Sequence, residues 1–222
     1  YSEGDRAPEF LRDYITTLYR VGTPDEVILS EYLSGQTEAE LVSDQNTNLI
    51  FLTANNINSP STELLMADKD LYVAKYGQDK VDFKLNSIVD NTVSKAAAEK
   101  DEALFNAALE FLKKSKVEGY KAKSSSSSLM FYQETGNFAE YSKTVSKHFK
   151  KYPGDNDQVL YRVAANFLLS SEDESYYDQC LSFAESAVAL KDNFNNNLVL
   201  AKVYYAQGQL AEARVFAEYA IT

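Results

Sequence analysis

Residues 198–220 read LVLAKVYYAQGQLAEARVFAEYA. Large apolar residues at Leu200 and Tyr204 recur at helical spacing. Gly208 then interrupts the pattern, Leu210 resumes it, and small residues follow at Ala213, Ala217 and Ala220. Apolar residues three or four apart share one face of a helix, so this stretch predicts two short amphipathic helices joined at Gly208. The small residues allow the helices to approach, and the large ones fill the space between them. Working backwards, the same reading applies from Asp157 and from about Lys123, so the last third of the chain repeats itself three times.

The unit resembles a tetratricopeptide repeat. The predicted repeats cover residues 122–155, 157–193 and 194–222. Their anchors Tyr132, Phe167 and Tyr204 lie 35 and 37 residues apart, against ~34 in the ideal pattern. The first repeat matches at Leu129, Tyr132, Gly136, Phe138 and Pro153. It departs at Ser125 and Ser128, where apolar residues are the rule, and at Tyr141, where a small one is. The middle repeat offers Leu160, Val163, Ala164, Phe167, Cys180, Ala184 and Ala187, with an enlarged turn around Ser171–Glu174.

Helical signals also run through the first half. Phe10, Leu11, Tyr14, Ile15 and Leu18 form one stripe that Gly22 can end, and Thr23-Pro24-Asp25-Glu26 reads as the start of a second helix with Thr23 as cap. Its buried side is expected from Val27, Ile28, Tyr32 and Leu33. The run Leu49-Ile50-Phe51-Leu52 suits a strand by composition, but its helical neighbours favour a buried helix. Residues 61–76 read as one or two short helices ending at Gly77. Val81, Leu85, Ile88, Val89, Val93 and Ala96 keep helical period, and Asp101-Glu102 opens a further helix. The five serines at 124–128 suit either a linker or the exposed start of a helix. The sequence thus predicts an all-α fold of antiparallel helix pairs stacked as an α-solenoid, divided into residues 1–118 and 119–222, with both parts continuing one curved stack.

Composition supports this. The chain of 222 residues is 45% apolar and 13% aromatic, with eight Gly, four Pro, 16 Tyr and no Trp. That is enough for a core and too little Gly and Pro for many-stranded β structure. The net charge is −11. Residues 1–60 carry ten acids against three arginines, a net of −7; such a field repels phosphate backbones and argues against nucleic acid. It reads as a solvated acidic face or a docking surface for a basic partner. No run approaches the ~20 apolar residues of a membrane span.

Chemistry-bearing residues are sparse. Cys180 is the only cysteine and falls where the repeat wants a small packed residue, so it is expected in the core. His148, the only histidine, sits among lysines near a helix end, where cations complement the helix dipole. No His/Cys cluster suggests a metal, and no glycine-rich loop suggests a phosphate. The expectation is therefore no catalytic residue, no cofactor and no metal. In stacked repeats the first helix of each pair lines the concave side. By register, Gln158, Tyr161 and Ala165 line it from the middle repeat, and Leu198, Lys202 and Tyr205 from the last. Gln158, Tyr161, Lys202 and Tyr205 are the candidate binding residues, suited to gripping an extended peptide. The basic residues with which some repeat proteins clamp a carboxyl terminus do not recur as a set.

Pro8-Glu9-Phe10-Leu11 with Tyr14 and Leu18, Tyr76-Gly77, residues 181–190 and residues 217–221 together resemble the helical region that follows the thioredoxin-like domain in thioredoxin family proteins of Bacteroidetes-type bacteria. That resemblance implies an accessory domain of an envelope or periplasmic thiol–disulfide protein, with redox cysteines upstream of Tyr1. The readings that follow are a non-enzymatic interaction or scaffold domain of a longer protein, an accessory domain serving an upstream thioredoxin-like domain, and a glycan-binding repeat protein. The Tyr content fits the last, and the missing Trp weakens it.

Overall fold

The computed structural model describes residues 7–152, 156–170 and 174–221. Pro153, Ser171, Glu172 and Asp173 lie outside them, and with them the closing proline of the first repeat and most of the enlarged turn. Among the described residues the chain is all-α, with fourteen helices packed in adjacent pairs and no strand. It forms two compact units, residues 1–127 and 128–222. The division falls inside one helix, which includes the serine run, whereas the sequence reading divides the chain after residue 118.

The first unit holds α1 (Pro8–Arg20), α2 (Glu26–Ser34), α3 (Glu38–Leu41), α4 (Asp44–Thr53), α5 (Pro60–Ala67), α6 (Lys69–Tyr76), α7 (Gln78–Glu99) and α8 (Glu102–Ser115). Gly22 closes α1 at φ 79°: its N–H donates to Tyr19 O and that of Thr23 to Leu18 O. These two bonds satisfy the last carbonyls of the helix. Thr23, expected to cap α2, lies two residues before the cap position, because α2 begins only at Glu26. Asp25 caps it instead, its carboxylate accepting from Val27 N and Ile28 N. The later start turns α2 slightly from its expected face. Val27 is 77% exposed, and Leu29 is buried with Ile28, Tyr32 and Leu33. Phe10 is likewise exposed, stacked on Tyr14, while Leu11 and Ile15 enter the core.

The ambiguous run at 49–52 is helical, within α4, capped by Ser43. Its burial brings in polar groups that need partners. Asn46 accepts from the Tyr32 hydroxyl at 2.5 Å and donates to Gln36 Oε1 at 3.0 Å and Glu40 O at 2.9 Å. Thr53 and Ser61 share a hydrogen bond between α4 and α5. In α7, Val81, Leu85, Ile88, Val89, Val93 and Ala96 are all buried, as their period requires. The sharp turn into α8 places Lys100 at φ 54°, after which Asp101 caps α8 through Leu104 N.

The boundary between the units falls within α9 (Tyr120–Glu134). The second unit continues with α10 (Phe138–Lys151), α11 (Asp157–Ser170), a single 3-10 turn at Glu174–Tyr176, α12 (Tyr177–Leu190), α13 (Phe194–Ala206) and α14 (Leu210–Ile221). α11 packs on α12, α12 on α13, α13 on α14, and α11 also on α13. Gly208 turns α13 into α14 at φ 76°, with Gly208 N donating to Tyr205 O and Gln209 N to Tyr204 O. One core joins these helices: Tyr141 and Val145, Val163, Ala164 and Phe167, Cys180 and Ala184, and Val199, Leu200 and Val203. Tyr141, oversized for its repeat position, is accommodated against Phe167 at a ring separation of 5.6 Å.

Candidate functional site

The buried residues of α11 and α13 fix which faces remain for a ligand. Leu160, Val163, Ala164 and Phe167 turn one face of α11 inward, and Val199, Leu200 and Val203 do so for α13. The opposite faces carry Gln158, Tyr161 and Arg162 on α11 and Leu198, Lys202 and Tyr205 on α13. Two clefts lie along them. The first, about 390 Å³, lies between the starts of α11 and α13, with Gln158, Tyr161, Arg162, Lys191, Phe194 and Asn195 among its walls. The second, about 440 Å³, lies between α13 and α14. Its floor is Leu198, Ala201, Leu210, Ala213 and Ala217, with Lys202, Tyr205 and Arg214 around it.

The four candidate residues are thus shared between two clefts that meet along α13. Gln158 and Tyr161 line the first; Lys202 and Tyr205 line the second. Tyr205 is 70% exposed beside an apolar floor. Tyr161 is half-buried and also packs on the core. Ala165, expected on the open side, instead rests against the core. Arg162, Lys191 and Arg214 were not singled out in the sequence. Arg162 stands four residues from Gln158 and so shares its face, a signal that register alone carries. Lys191 follows the end of α12 and reaches the site only through the fold.

A buried polar knot seats the first cleft. Asn193 caps α13 by accepting from Asn196 N at 3.1 Å. The buried Asn196 amide donates to Lys191 O at 2.7 Å, Ala187 O at 3.1 Å and Asp157 Oδ2 at 3.1 Å. Both carbonyls lie at the end of α12, where Ala187 O also accepts from Lys191 N at 3.0 Å. One side chain thereby ties the end of α12 to the starts of α11 and α13. Asp157 also accepts from Asn193 Nδ2, so it serves the scaffold.

A third groove, about 510 Å³, lies in the first unit between α4 and α7, with Phe51, Leu52, Phe83 and Lys84 in its walls. Phe83 is 75% exposed. Lys84 donates to Leu52 O at 3.2 Å and lies over the Phe51 ring, and burial lowers its pKa.

The two residues with the most reactive side chains are held differently. Cys180 is fully buried, its thiol donating to Ala164 O at 3.1 Å, and burial pushes its pKa up to about 12. A thiol held protonated is a poor nucleophile. His148, in the last turn of α10, lies edge-on to Phe149 with ring centroids 5.0 Å apart, and burial lowers its pKa. Among the described residues, no three His, Cys, Asp or Glu side chains gather as a metal site would require, and no helix is long and apolar enough to cross a membrane.

No protein-family model matches the chain, and no curated protein matches it.

Proposed function

We propose that this chain is a non-enzymatic interaction domain with tetratricopeptide-like helix pairs, and that it holds a polypeptide segment along α11 and α13. The observation that carries this is the apolar cleft between α13 and α14 with Tyr205 standing exposed beside it. An exposed aromatic ring loses little conformational entropy on binding and offers a large contact area. The half-buried Tyr161 and Gln158 extend the contact onto α11. Binding here is by shape and ring packing, and the protonated, buried Cys180 adds no chemistry to it. The resemblance to the region beside thioredoxin-like domains suits this reading, since such a module positions a polypeptide for a neighbouring domain.

The test is pull-down from native cells with the wild-type chain and with Tyr205→Ala, alone and combined with Tyr161→Ala. A partner retained by the wild type and lost by both variants supports the proposal. Because Tyr161 also packs on the core, circular dichroism must show the double variant folded. A partner that binds all three chains equally places the site elsewhere.

A further inference from the structure

Resting on that reading, we infer that the segment held along α11 and α13 is acidic, with carboxylates flanking an aliphatic side chain. The argument is one of charge. In a chain of net charge −11, the walls of the two adjoining clefts carry four cations: Arg162 and Lys191 in the first, Lys202 and Arg214 in the second. The one acid in those walls is Asp157, which Asn193 and Asn196 already hold. Arg214 pairs with Glu218 at 2.9 Å. The side chains of Arg162, Lys191 and Lys202 have no hydrogen-bond or ion-pair partner among the described residues. All three are exposed.

Acidic proteins ordinarily place exposed cations beside their own carboxylates. Here three stand free, Arg162 and Lys191 at the first cleft and Lys202 beside the apolar floor of the second. Like charges gathered at a cleft favour an oppositely charged occupant and disfavour a basic one.

Geometry sets the spacing. The clefts open on consecutive stretches of α13, around Asn195 and around Ala201–Lys202. At about 1.5 Å per residue, these stretches are offset by ~10 Å along the α13 axis. An extended peptide advances about 3.3 Å per residue, so its carboxylates should lie at least about three residues apart. The aliphatic side chain between them covers Leu198, Ala201, Leu210, Ala213 and Ala217. Such a segment meets Arg162 and Lys191 at one end and Lys202 at the other.

The experiment uses fluorescence anisotropy with the whole chain and three labelled peptides: Gly-Glu-Ser-Leu-Ser-Glu-Gly, the same peptide with Gln for both Glu, and the same with Lys for both. The expected result is at least a tenfold preference for the Glu peptide over the other two. That preference should weaken at high salt and vanish in Arg162→Glu with Lys202→Glu, both exposed and so tolerant of replacement. If the Gln or Lys peptide binds equally well and still depends on Tyr205, the groove stands and the acidic assignment is wrong. If no peptide binds at ~1 mM, the acidic assignment is also overturned; the Tyr205 pull-down then decides the groove separately.

Discussion

Lys100 occupies a backbone conformation that L side chains adopt at a cost, and this makes the turn between α7 and α8 a place to measure backbone strain directly. Its φ is 54° and ψ 34°. The turn uses the bonds seen after α1: Lys100 N donates to Ala97 O at 3.2 Å and Asp101 N to Ala96 O at 2.8 Å. After α1 the equivalent residue is Gly22. A non-glycine residue in this region costs about 1–2 kcal/mol. Replacing it by Gly frees the unfolded chain as well, which offsets about 0.4–1 kcal/mol. The Lys100 side chain is exposed and makes no hydrogen bond or ion pair among the described residues. The net gain for Lys100→Gly is therefore roughly 1 kcal/mol. Gly22→Ala should lose about the same, since an added Cβ would meet nothing within 4 Å and the cost is backbone strain alone. Both sites belong to the first compact unit, so one urea transition reports both. With a slope of about 2 kcal/mol per molar urea, the midpoints should move by ~0.5 M in opposite directions. A Lys100→Gly midpoint at or below the wild type, with unchanged slope, would falsify the strain argument.

Two further outcomes are expected. Leu200, 1% exposed at the centre of the second unit's core, should cost about 2–5 kcal/mol as Leu200→Ala; an unchanged melting curve would mean that α13 does not present this face to the core. His148 has its pKa lowered by burial, so the folded state favours the neutral ring and the unfolded state binds the proton more readily. The stability it contributes is present above the unfolded value near 6.5 and is lost as pH falls through that value towards the lower folded one. Stability of the wild type should therefore drop more between pH 7.5 and 5 than that of His148→Gln, measured by urea titration at each pH; parallel profiles would show that the ring titrates alike in both states.

The helices were largely legible because each element carries its own punctuation. Gly22 and Gly208 stand where the chain must turn with positive φ, and the period of Val81 to Ala96 states which face of α7 is buried. The reading failed where two residues suited one local role. Thr23 and Asp25 both have the chemistry of a cap; the Thr23 N–H closes α1, Asp25 caps α2, and Leu29 rather than Val27 is buried. The serine run was ambiguous because polar residues in a helix and in a linker look alike; its place in α9 depends on neighbours remote in sequence. For the site, register put Gln158, Lys202 and Tyr205 on exposed positions and Tyr161 on a half-buried one, because outward positions follow from inward ones.

By itself, then, the sequence determined the all-α class, the pairing of helices in the last third and the burial of Cys180, all consequences of local periodicity and residue size. Only the tertiary structure decided that the outward residues divide between two clefts, that Asn196 joins three helices at one of them, and that Lys191 and Arg214 come to stand with Arg162 and Lys202. Charges and clefts of this kind arise from side chains on different helices, and their meeting depends on how α11, α12, α13 and α14 pack, which no single helix encodes.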